Sequence, residues 1–121
     1  MTKDYVAHAR EIDDNARRLA QAAPEVMRAL RANRETVYGD GALDASTKEL
    51  IALAVGIVMR CQGCVTHHTR LAVKKGVSRE QLAEMIGVCI QMAGGPAMAF
   101  GGEALAAFDQ FTDAATPKSG D

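Results

Sequence analysis

The chain has 121 residues, of which 48% are hydrophobic and 24% charged, with a net charge of −1. That length suffices for one domain with a real core. The balanced charge, with basic residues spread along the sequence, excludes a general electrostatic pull toward nucleic acid or anionic membrane.

Asp4 to about Ala22 has the spacing of an amphipathic helix, with Val6, Ile12, Leu19 and several alanines forming the apolar stripe. Pro24 suits the first position of a second helix, which runs to about Val37. Gly39, Asp40 and Gly41 then break the chain. A third helix starts at Asp44 or Ser46. Ser46-x-x-Glu49 fits a capping box, whereas Asp44 as the cap leaves the Glu49 side chain free. Leu50 to Met59 is apolar without interruption, the pattern of a buried helix, but too short for a bilayer.

His67, His68, Leu71 and Val73 lie on a fourth helix, with Lys74 and Lys75 at its C-terminal dipole and Gly76 as C-cap. Ser78-x-x-Gln81 opens a fifth helix as a capping box, turning Leu82, Met85, Ile86, Cys89 and Met92 inward. Gly94-Gly95 ends it. Pro96 starts a sixth, which runs to about Thr112, and in which Gly101-Gly102 marks a close crossing or a break. Residues 115–121 read as a polar, disordered tail. No strand pattern, linker or repeat interrupts this series. The expectation is a single all-α domain over residues 1–121 with about six helices, in which six methionines and aliphatic residues fill a core with 4% aromatics.

The charged start, MTKDYVAHAREID, lacks the apolar region of a secretory signal, so a cytoplasmic location is expected. Three cysteines make no disulfide framework. A Cys-x-x-Cys in a reducing compartment points instead to redox chemistry or metal binding. On one continuous helix, at roughly 100° per residue, Cys61, Cys64 and His68 share a stripe and His67 leaves it. Residues three apart on a helix also have the α-carbon separation a disulfide needs. His68, one turn after Cys64, is placed to take its proton. Cys61 is placed to resolve a sulfenic acid formed on Cys64. Gly63 can kink the helix between the cysteines. Glu49 lies about 18 Å from Cys61 along a straight helix, and nothing in the spacing demands that the helix fold back. Cys89 reads as core, His8 as solvent-facing. Haem attachment is excluded because Val65, not His, follows Cys64.

Glu49, eleven residues, Cys61-Gln-Gly-Cys64, three residues and His68 resemble the E-x(11)-C-x-x-C-x(3)-H signature of the alkylhydroperoxidase D branch of the carboxymuconolactone decarboxylase family. Gly41-Ala-Leu-Asp44 and the ELIALAV run add to the resemblance, which spans roughly residues 24–111. It implies an oligomeric all-helical fold, commonly a trimer or hexamer, whose central antiparallel hairpin brings Glu49 to Cys61, Cys64 and His68. It implies peroxide reduction through a Glu49–His68 proton relay, with Cys64 in the peroxidatic place and Cys61 in the resolving place. Where some members carry a histidine between the cysteines, this chain has Gln62 and Gly63. The leading expectation is therefore a hydroperoxide reductase with catalytic Glu49, Cys61, Cys64 and His68. It would need no metal or organic cofactor, and would be re-reduced by a thioredoxin-like or lipoyl-type dithiol partner. The alternatives are a zinc-binding or oligomerisation module without turnover, and a decarboxylase-type lyase, whose members generally lack the cysteine pair.

Overall fold

The computed structural model describes residues 3–116. Six helices follow one another: α1 Tyr5–Ala22, α2 Pro24–Tyr38, α3 Ala45–Val58, α4 Gln62–Lys74, α5 Arg79–Ala93 and α6 Gly95–Ala115. Among the described residues there is no strand, and no helix is long and apolar enough to cross a membrane.

Local chemistry sets most of the boundaries. The Asp4 carboxylate accepts the Ala7 amide at the start of α1. Pro24 occupies the first turn of α2, where a missing N–H costs nothing. Ser78 and Gln81 form a reciprocal capping box at α5, Gln81 N–H donating to the serine hydroxyl at 3.1 Å and Ser78 N–H to the glutamine carbonyl at 2.9 Å. At α3 the cap is Asp44, which accepts the Thr47 amide at 2.8 Å. The Ser46–Glu49 box does not form, and Glu49 is left free for another use.

The turn after α3 decides the architecture. Arg60 takes a left-handed conformation, φ +58°, its amide donating to the Ile57 carbonyl at 3.2 Å while the Cys61 amide donates to Gly56 at 3.0 Å. This is the paired hydrogen bonding of a Schellman C-cap, with arginine where glycine is usual. It reverses the chain, so that Gly56 meets Cys64 and Glu49 meets His68 and Lys75. Contacts that descend α3 as they climb α4 define an antiparallel hairpin. The break thus comes at Arg60 rather than at Gly63.

A second antiparallel hairpin, α5–α6, packs Ile86 against Gly101 and pairs Arg79 with Asp109. Helix α6 passes through Gly101-Gly102 unbroken and ends at Ala115, three residues beyond the expected end. Gly101 is there for the crossing: a Cβ on it would sit 2.5 Å from the Ile86 γ-methyl. Leu53, Ile57, Val65, Leu82, Ile86 and Phe108 centre the core between the two hairpins, and Tyr5, Ala9, Ala107 and Phe111 seal α1 onto α6. Cys89 is buried there as expected. Helix α2 buries no residue and is held mainly by α1 and, at its end, by α3.

Three expectations of exposure fail. In the apolar run read as a buried helix, Ile51, Val55 and Val58 are 41–49% exposed along one side of α3. Met59, Met92 and Met98 lie outside the core, at 71%, 75% and 63% exposure, because the helical faces carrying them meet no other element. His8 does not face solvent freely: its Nδ1 lies 2.9 Å from the hydroxyl of buried Thr66, which ties α1 to α4. Of the expected tail, residues 117–121 lie outside the described residues.

Candidate active site

The α3–α4 hairpin brings together all four residues singled out from the sequence. Cys61 is the N-cap of α4 and Cys64 lies in its first turn, with α-carbons 5.2 Å apart and the two sulfurs joined as a disulfide. The Cys64 amide also points at the Cys61 sulfur, 3.2 Å away. An N-cap position of this kind favours negative charge on the capping atom. Gly56 makes room for Cys64: a Cβ there would approach the Cys64 Cβ to 3.1 Å.

Glu49 has no solvent exposure. Its Oε2 accepts from His68 Nδ1 at 2.8 Å and its Oε1 from Lys75 Nζ at 3.0 Å. Burial pushes its carboxyl up, but the hydrogen bonds from His68 and Lys75, with their charges, outweigh burial and hold it below the usual range. With Nδ1 engaged by Glu49, Nε2 is the ring atom left to His68 for exchange with another group. His68, Cys61 and Cys64 line one open cleft of about 430 Å³ with Tyr38, Lys48, Val37, Ile51, Ala52, Val55, Gly56 and Met59. Its wall is mainly apolar, with the sulfurs and the imidazole as its reactive features. A second hollow, between α1 and α2 and lined by Arg17, Arg28, Arg31 and Arg34, touches none of these residues.

His67 turns away from the cysteines, as its place on the helix requires. Its Nδ1 accepts from Arg70 Nη2 at 3.2 Å, and Arg70 itself forks onto Asp13 of α1 at 2.8 and 2.9 Å. Burial, with the charges of His68, Arg34 and Arg70, lowers the His67 pKa to about 4. It is neutral at neutral pH and takes part in holding α1 to α4.

The chain matches the model of the carboxymuconolactone decarboxylase family over residues 24–115. It belongs to that family. Among relatives, it is 39% identical to an uncharacterised protein of Cupriavidus necator, over 90% of this chain and 96% of that one. Among solved structures, a carboxymuconolactone decarboxylase family protein from Legionella pneumophila, in its apo form, superposes with a TM-score of 0.86 at 34% identity, covering 89% of this chain and 96% of the other. A family protein from Thermotoga maritima shares the fold, with a TM-score of 0.72 at 23% identity and 92% of each chain covered.

Sequence reasoning missed two residues of this site. Lys75, expected at the helix dipole, caps α4 but folds its side chain back onto Glu49. The Tyr38 ring lies under the Lys75 ammonium, 5.3 Å from ring centre, and 5.8 Å from the His68 ring. The signal for Lys75 was present: seven residues after His68 is about two turns, which keeps it on the cysteine stripe. Tyr38 gave no signal, since it reaches the site only through the fold. Among the described residues, no group of three or more His, Cys, Asp and Glu side chains is gathered as a metal site would need.

Proposed function

We propose that this protein is a thiol-dependent hydroperoxide reductase of the alkylhydroperoxidase D type. The observation that carries the reading is the convergence, on one apolar cleft, of a Cys61–Cys64 pair and a His68 oriented by a buried, ionised Glu49.

Chemistry follows from the placement. In the reduced enzyme, His68 takes the Cys64 proton. The Cys64 thiolate attacks the outer oxygen of the hydroperoxide, forming an S–O bond and breaking the O–O bond. The departing alkoxide takes a proton from His68 and leaves as the alcohol. Cys61 then attacks the sulfenic sulfur. The S–S bond forms and hydroxide leaves, protonated to water. The Cys64 amide that faces the Cys61 sulfur favours its thiolate, which suits both this attack and its later departure when a dithiol partner reduces the bridge. Each cycle moves two electrons from the partner to the peroxide.

The apolar surface supports a homo-oligomer. Ile51, Val55, Val58 and Met59 on one side of α3 and its turn, with Val88 and Met92 of α5, are 41–75% exposed. Such a patch is what an isolated chain avoids. Ile51, Val55 and Met59 also wall the cleft, so a second copy would roof the site.

Two single variants test the chemistry. Reduced Cys61→Ser, exposed to hydroperoxide, should accumulate a trappable sulfenic acid at Cys64, because nothing resolves it. Reduced Cys64→Ser should react slowly and trap little. The reverse pattern would exchange the two roles, and no trapping in either would exclude peroxide as the substrate.

A further inference from the structure

We propose that Lys75 is a positioning residue of this site: it serves as the standing counter-ion of Glu49, so that His68 is free to release and accept a proton. The consequence for turnover rests on the peroxidase reading above; the role itself does not.

The buried carboxylate comes first. Glu49 has no exposure to water, so its charge must be matched by protein groups. Two neighbours offer a cation, Lys75 on Oε1 at 3.0 Å and His68 on Oε2 at 2.8 Å. One positive charge balances one carboxylate. With Lys75 in place, His68 can give up its proton and the cluster is still neutral. With Lys75 absent, His68 is the only cation left to Glu49 and must hold its proton to supply that charge. A protonated His68 cannot accept the proton of Cys64.

The surroundings make Lys75 the fixed partner. Its side chain is 31% exposed, so the ammonium keeps part of its hydration while reaching a fully buried oxygen. The Tyr38 ring supports it from the other side at 5.3 Å. Three elements bring titratable groups toward His68: α2 brings Tyr38, α3 brings Lys48 and Glu49, and α4 itself brings Cys61, Cys64, His67 and Lys75. Lys48 is not a rival for Glu49, since its amine donates to the Gly39 carbonyl at 2.6 Å. His67 is neutral at neutral pH. The other carboxylates bonded to this region are engaged elsewhere, Asp13 on Arg70 and Glu103 on Tyr5 and Gln62. When the S–H bond of Cys64 breaks and an N–H bond forms on His68, the charges alternate as Lys75 plus, Glu49 minus, His68 plus, Cys64 minus. No net charge is created in the interior.

A merely structural lysine would affect folding but not where His68 titrates. The test is therefore the His68 titration, followed by histidine-labelled NMR in the disulfide form of the full chain, for wild type, Lys75→Met and Lys75→Arg. Removing a positive charge this close should raise the His68 midpoint by about one pH unit in Lys75→Met. Lys75→Arg should stay within a few tenths of wild type. In the reduced enzyme, the acid limb of the hydroperoxide rate should move upward by the same amount. A folded Lys75→Met with an unmoved midpoint would overturn the proposal. Should Lys75→Met fail to fold, Lys75→Gln, which keeps a donor without the charge, carries the same expectation and the same contradiction. If wild type consumes no hydroperoxide while the midpoint still moves, the peroxidase reading fails and the role of Lys75 stands.

Discussion

Adjacent histidines on α4 meet opposite surroundings. His68 bonds a carboxylate, whereas His67 is packed beside Arg70 and within the field of Arg34. The His67 pKa falls from an ordinary 6.5 to about 4 in the folded chain. Between those two values the unfolded chain binds a proton that the folded chain refuses, so stability rises with pH across that window and is lost as pH falls through it. The lowered carboxyls of Glu49 and Asp13 act in the same direction at lower pH, since their contribution disappears as they protonate. Lowering the pH from 6.5 to 4 should cost about 2 kcal/mol through His67, a figure discounted for its residual contact with solvent. Denaturant midpoints measured across this range should show that loss in wild type and little of it in His67→Gln. Equal slopes in the two proteins would contradict it.

At the scale of elements, close helix crossings depend on glycine. Gly101 lets α6 reach α5, and the methyl that Gly101→Ala would add meets the Ile86 γ-methyl at 2.5 Å. That methyl branches from Cβ and cannot swing aside without leaving its rotamer. The substitution should destabilise the chain by about 1–3 kcal/mol, as overpacked cores do, which chemical denaturation would measure. A neutral Gly101→Ala would mean that the helices separate at little cost. The sequence offered this crossing at Gly101-Gly102 as one of two readings, the other being a break, and Asp44 as one of two starts for α3, while Asp4, Pro24, Ser78 and Pro96 marked the starts of four other helices. What it did not announce was the turn at Arg60. A left-handed C-cap normally declares itself by glycine, and the nearest one, Gly63, lies inside α4. The hairpin had to come from resemblance to a family. Once the hairpin forms, the cysteine stripe extends in register to Lys75, and Glu49 changes from a plausible capping residue to the buried partner of His68. Tyr38 was illegible because it sits on a helix with no buried residue of its own.

Over the whole molecule, the exposed apolar faces of α3 and α5 remain the feature a lone chain explains least. The protein should run as a homo-oligomer in light scattering at micromolar concentration, with a trimer or hexamer expected from the family resemblance. Met59→Glu, which places a charge on the most exposed large apolar residue of α3 and its turn, should shift the mass toward that of one chain. A wild-type mass of one chain would contradict the assembly.

Consumption of hydroperoxide by the fully reduced protein, with thiols counted before and after, tests the central claim most directly. One equivalent of an organic hydroperoxide per chain should yield one equivalent of alcohol and the Cys61–Cys64 disulfide, with Cys89 unchanged. Added dithiol reductant should then make the reaction catalytic. Peroxide that persists, or that disappears while Cys61 and Cys64 both remain thiols, would contradict it.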